Sequence, residues 1–92
     1  MRIAFDPAKR ARTIEDRGLD FDDAVLVFAG ETYNEEDRRQ NYGETRIRTV
    51  GFLAGRMVMI VWTPRGEARH VISMRKCNEK EQAYYRQRLG AR

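Results

Sequence analysis

The stretch with the most chemical potential is residues 70–76, His-Val-Ile-Ser-Met-Arg-Lys. It is an alternating run that ends in two cations. Asn78 follows at once, with Glu81 three residues on, the spacing of a capping box at a helix start. A strand closing on Arg75 and Lys76 beside a helix N-terminus makes a phosphate pocket, because that helix end favours anions and guanidinium groups bind them in pairs of hydrogen bonds. Side chains alternate along a strand, so Arg69, Val71, Ser73 and Arg75 take one face and His70, Ile72 and Met74 the other. Ile72 and Met74 read as the core set, which leaves Ser73 and Arg75 on the open face. The competing reading of Arg75 is an ion pair with Glu79, Glu81 or Glu44.

Other candidates are scattered. Arg46 and Arg48 share a face of an earlier strand and suit phosphate contact or structural pairing. His70 is the single histidine; it titrates near neutrality and suits a proton donor, or a partly buried structural role on the face of Ile72. Tyr84 suits base stacking or proton donation, while Tyr85 with Leu89 at i+4 reads as helix docking. Trp62 reads as core. Glu15, Asp22 and Asp23 read as capping and solvation rather than a metal cluster. One cysteine and one histidine exclude an internal disulfide and make a structural zinc site untenable. Cys77 precedes a helix start, where a thiolate gains from the dipole, but it reads first as a small filler.

These residues must be positioned by a short list of elements. Arg2 to Phe5 is an edge strand. Asp6-Pro7 caps a first helix in which Ala8, Ala11 and Ile14 keep helical spacing, and Gly18 ends it. Asp20 caps a second helix with Phe21, Val25 and Phe28 as its apolar stripe and Gly30 as its stop. Thr32 to Glu36 is a weak strand, and residues 37–43 are a polar loop. Two strands, Arg46 to Leu53 and Arg56 to Thr63, join through a tight Ala54-Gly55 hairpin. Thr63 to Gly66 places a type I turn before the last strand, Glu67 to Met74. The terminal helix runs to about Leu89, and Gly90-Ala91-Arg92 frays. The sum is an α+β domain: an antiparallel sheet of about four strands plus the short first one, packed on one face by two N-terminal helices and one C-terminal helix.

Ninety-two residues make a single domain, 1–92, too small for a deep cleft between lobes. The longest apolar run, Met57 to Trp62, is far short of the roughly 18 residues of a membrane span, and with no leader-like start the expected location is cytoplasmic. The net charge of +4 is unevenly spread. Residues 1–43 carry seven basic and ten acidic side chains, while residues 64–92 carry eight and three. A basic half on a small domain suggests a polyanion on that side, or a merely solvated surface.

Several stretches resemble one family. FDPAK (5–9), DFDDAVLVF (20–28), GETRIRTVG (43–51) and above all VISMRKCNEKEQAYY (71–85) are similar, in order, to BrnT-like toxins of type II toxin–antitoxin systems. The resemblance implies a RelE-like fold, ribonuclease activity and neutralisation by a ribbon-helix-helix, BrnA-like antitoxin. It also implies a two-toxin, two-antitoxin assembly that reaches operator DNA only through the antitoxin. The chain departs from the family's N-x-x-K-H-G pattern with Thr13 and then Asp16-Arg17-Gly18, which makes that helix end less basic. Cys77 stands where alanine is common.

RNA is cut without a metal when the ribose 2′-OH attacks its neighbouring phosphorus. The protein must then neutralise the developing charge and move two protons. Fixed cations supply the largest part of that effect, and with one histidine a two-imidazole mechanism is impossible. The expected catalytic set is Arg75, Lys76, His70 and Tyr84, with Arg46, Arg48, Arg69 and Ser73 holding RNA, no metal and no cofactor. The competing functions are a non-catalytic scaffold that binds the antitoxin and co-represses an operator, and a generic small RNA-binding domain.

Overall fold

The computed structural model describes residues 1–89 of the chain, so the expected frayed tail 90–92 lies outside the described residues. The order is β1 (Arg2–Phe5), α1 (Pro7–Arg17), a 3-10 turn (Phe21–Asp23), α2 (Ala24–Ala29), β2 (Tyr33–Glu36), β3 (Ile47–Leu53), β4 (Arg56–Arg65), β5 (Ala68–Lys76) and α3 (Glu79–Leu89). The five strands form one sheet, β1-β5-β4-β3-β2, in which only β1 pairs in parallel, with β5. Local chemistry sets the boundaries. The Asp6 carboxylate accepts the Ala8 N–H at 2.9 Å, Pro7 opens α1, and Gly18 closes it with its N–H on the Ile14 carbonyl. Ala54 and Gly55 both take positive φ, 49° and 78°, the two-residue hairpin conformation that matches strand twist.

The helices cover both faces of the sheet, not one as expected. Along β4, Val58, Ile60 and Trp62 pack with Phe21, Val27 and Phe28 under α2. Met57 and Met59 instead pack with Val50, Cys77, Tyr85 and Leu89 under α3. The continuous apolar run 57–62 is the signature of a strand buried on both sides. Trp62 is core, as expected, and its indole N–H donates to the Thr49 hydroxyl at 2.8 Å.

Other local expectations shift for identifiable reasons. The second helix begins as a 3-10 turn, which changes the phase, so Ala24, Val27 and Phe28 are buried and Val25 is exposed. On α1 the Ala8, Ala11 and Ile14 face is the exposed one, and Lys9, Arg10 and Thr13 turn inward. β4 continues through Pro64 to Arg65, and the turn is Gly66-Glu67. Pro64 is tolerated because β3 starts at Ile47, opposite Trp62, so β4 has no neighbour on that side there.

The shift that matters most for function is a β-bulge in β5. Trp62 pairs with Val71 and Val61 with Ser73, which leaves Ile72 as the extra residue. Val71 and Met74 therefore share the α2-side core although they are three apart, and Ile72 is half-buried rather than core. Gly51 marks another tight point. A Cβ there would lie 2.8 Å from Val27 Cγ1 and 3.3 Å from the Glu31 carbonyl oxygen. Gly51→Val is expected to cost about 1–3 kcal/mol through overpacking, measured as a lower melting temperature. An unchanged melt would mean that Val27 moves aside freely.

Candidate functional site

The β5–α3 junction is built as a cap. The Asn78 side chain accepts the Glu81 N–H at 2.8 Å, and Glu81 accepts the Asn78 N–H at 3.0 Å. The same Glu81 carboxylate takes both guanidinium ends of Arg75, NH1 at 2.8 Å and NH2 at 2.7 Å. The Glu81 hydrogen bonds hold its carboxyl down at about 2, and Arg75 beside it is the largest cause. The ion-pair alternative for Arg75 is thus realised, with Glu81 as partner. Arg75 nevertheless stays at the surface, its side chain 40% exposed. Its further contacts, to the Lys76 carbonyl and the Met59 sulfur, are long at 3.4 Å each.

The other expected catalytic residues do not all converge on it. Lys76 is exposed but alternates to the opposite face, opposite Val58. Tyr84 lies three residues beyond Glu81 on α3, so the two share a helix face. It is 48% exposed, with the Arg88 guanidinium 3.4 Å from its ring centroid. Tyr85 docks the helix, as expected: it is buried, donates to Glu35 at 2.8 Å, and its phenol is pushed up to about 12, chiefly by burial. His70 lies apart from this junction. Strand geometry puts it roughly 15 Å from Arg75 along β5, too far for both to act on one phosphate. Burial first, then the Arg65 charge, lowers its pKa and so favours the neutral imidazole.

The expected RNA-holding cations are mostly engaged. Arg46 stacks on Tyr42 at 4.1 Å and pairs with Glu44 at 3.3 Å. Arg48 pairs with Glu35 at 3.1 Å, while its buried Nε has no partner among the described residues. Arg69 lies on the α2 face, over the rings of Phe28 and Trp62 at 4.6 Å each, where it closes the core edge. Cys77 is 1% exposed with its thiol pushed up to about 11 by burial, which makes it the inert filler.

Ser73 sits elsewhere, and in company that the sequence reading missed. With Ile72 it lines a cleft of about 190 Å³ whose far wall is α1: Lys9, Arg12, Thr13, Asp16 and Arg17. Arg17 donates to the Met74 carbonyl at 3.0 Å, tying the end of α1 to β5. The signal was present, because residues 9, 12, 13, 16 and 17 fall on one helix face. A wider depression over residues 36–45 is lined by a loop whose Arg38 and Arg39 are already paired, with Glu36 and Asp37. Arg39 holds the buried Asp37 carboxyl well below the usual carboxylate range.

Among the described residues no three His, Cys, Asp or Glu side chains gather as a metal site, and no helix is long and apolar enough to cross a membrane. Residues 5–81 match the family model described as the ribonuclease toxin, BrnT, of type II toxin–antitoxin systems. No curated protein matches the sequence.

Proposed function

The chain belongs to the BrnT family of ribonuclease toxins of type II toxin–antitoxin systems, and from that premise we propose that it cuts RNA without a metal at the β5–α3 junction. The observation that carries this reading is Arg75, a guanidinium at the surface oriented by Glu81, whose helix carries the exposed Tyr84 one turn further on. In the step proposed, the ribose 2′-oxygen attacks phosphorus and the 5′-oxygen leaves, giving a 2′,3′-cyclic phosphate and a free 5′-hydroxyl. Arg75 balances the charge that grows on the phosphoryl oxygens. Tyr84 donates the proton to the leaving oxygen, with solvent taking the 2′ proton. Lys76 and the distant His70 then serve to hold the strand rather than to react.

The family implies a cognate protein antitoxin. We take it to be a ribbon-helix-helix protein that covers this basic surface in a two-to-two complex within the cytoplasm and binds the operator for both. The purified chain is expected to cut single-stranded RNA in EDTA and leave cyclic phosphate ends. Activity lost in EDTA and restored by magnesium would refute metal independence. The scaffold reading draws on one observation, the neutralisation of Arg75 by Glu81. It takes over if the free chain neither cuts RNA nor slows growth.

A further inference from the structure

The α1–β5 cleft owes its existence to two features of the strand. β1 ends at Phe5, opposite Val71, so β5 has no strand neighbour on that side beyond this point. The bulge at Ile72 then bends β5 where α1 passes it. α1 takes the place of the missing strand and turns Lys9 and Thr13 inward. The space between holds about 190 Å³, room for roughly six waters at some 30 Å³ each.

Three unpaired cations line this one depression, although they are not the only cations without a carboxylate partner among the described residues. Arg10, Arg38, Arg39, Arg46, Arg48, Arg65 and Arg75 each lie within 4 Å of a carboxylate oxygen. Lys9, Arg12 and Arg17, which line the cleft, form no ion pair among the described residues, and Asp16 is the one acidic side chain among the described lining residues. The Ser73 hydroxyl also makes no hydrogen bond among the described residues and faces these cations as a further donor. The three cations are spread along the helix: at 1.5 Å per residue, Lys9 and Arg17 lie about 12 Å apart. A row of that length suits an extended polyanion better than a single small anion. It ends at Arg17, bonded to the Met74 carbonyl beside Arg75.

We propose that this cleft is a binding track for the RNA backbone, in which Lys9, Arg12, Arg17 and Ser73 hold phosphates next to the one that reacts at Arg75. This inference rests on the ribonuclease reading, and its test separates the two. The probe is a single-stranded 2′-O-methyl RNA oligonucleotide, which lacks the attacking hydroxyl and cannot be cut. Its affinity is measured against salt concentration for the wild-type chain and for Lys9→Ala/Arg12→Ala. Each phosphate contact contributes about 0.7 to the slope of log affinity against log salt, so the double variant should lose about 1.4 of it, with an affinity loss of roughly tenfold at low salt. Arg2→Ala/Arg38→Ala, with the same loss of charge on β1 and beyond β2, should keep the wild-type slope.

Lys9 and Arg12 have no ion-pair partner, so the variant should melt with the wild type; if it does not, Arg12→Gln alone is measured, with half the slope change expected. A wild-type slope in the cleft variant, an equal loss in the control, or no binding by the wild type overturns the track. Tight, cleft-dependent binding together with uncut natural RNA upholds the track and removes the nuclease.

Discussion

The Arg75→Ala variant is expected to cleave RNA roughly 100- to 1,000-fold more slowly than the parent chain, the usual cost of removing one positioned donor from developing charge. The geometry allows this although Arg75 is already paired. Glu81 occupies one edge of the guanidinium, where NH1 and NH2 meet its two oxygens. Among the described residues, the adjacent edge, Nε with the second NH2 hydrogen, meets nothing stronger than the Met59 sulfur at 3.4 Å. A phosphoryl oxygen displaces such a contact at little cost, and Glu81 meanwhile keeps the side chain from sampling other rotamers.

The competing account makes Arg75 a strut that only fastens α3, and a second variant separates the two. Glu81→Gln keeps an oxygen to accept the Asn78 N–H but removes the negative charge. If Arg75 serves the reaction, Glu81→Gln retains cleavage while Arg75→Ala loses it. If Arg75 is a strut, both variants lose activity in step with stability. Acid titration gives a readout independent of RNA. The Glu81 carboxyl is lowered from 4.5 to about 2, so the pair stabilises the fold above pH 4.5 and that contribution is lost as the pH falls toward 2. Arg75→Ala removes it, at no more than about 1 kcal/mol for a pair this exposed, and should flatten the pH dependence of stability in that window. An unchanged cleavage rate in Arg75→Ala moves the chemistry away from this junction.

The parts of this molecule that could be read from sequence are those governed by neighbours in the chain. Asp6-Pro7, Gly18, Ala54-Gly55 and the Asn78–Glu81 box each satisfy local hydrogen bonds or dihedral demands, and each is where the sequence places it. What escaped was set by distant residues. Alternation assigned Ile72 with Met74 to the core, but the bulge inserts one residue and changes which side chains share a face. No feature of 68–76 alone announces the extra residue, because it depends on how β4 is held between β3 and β5. The same holds for α3, whose side of the sheet is decided by the second apolar face of β4. The candidate site followed suit. Arg75 and its carboxylate partner were legible as neighbours six residues apart, whereas Ser73 meets Lys9, Arg12 and Arg17 only through the parallel pairing of β1 with β5.

Phe21 tests whether this arrangement depends on the core beneath it. Its side chain is fully buried, packs edge-on against Phe5 with ring centroids 5.8 Å apart, and belongs to the α2-side cluster. It is also the first residue after Asp20, whose carboxylate holds Arg10 of α1 at 2.8 and 2.9 Å. Phe21→Ala should cost about 3–5 kcal/mol, the lost transfer energy plus the cavity left behind. A domain of this size has on the order of 5–10 kcal/mol to lose, so the variant should be close to unfolding at 37 °C. Phe21→Leu keeps most of the volume and should cost less than about 1.5 kcal/mol. Urea unfolding reads both, as a shifted midpoint with an unchanged slope. The leucine variant should still bind uncleavable RNA as the wild type does, because α1 remains anchored. A loss below about 1.5 kcal/mol in the alanine variant would mean that the core closes over the gap, and α1 would then be held against β5 chiefly by its polar contacts, Arg10 to Asp20 and Arg17 to Met74.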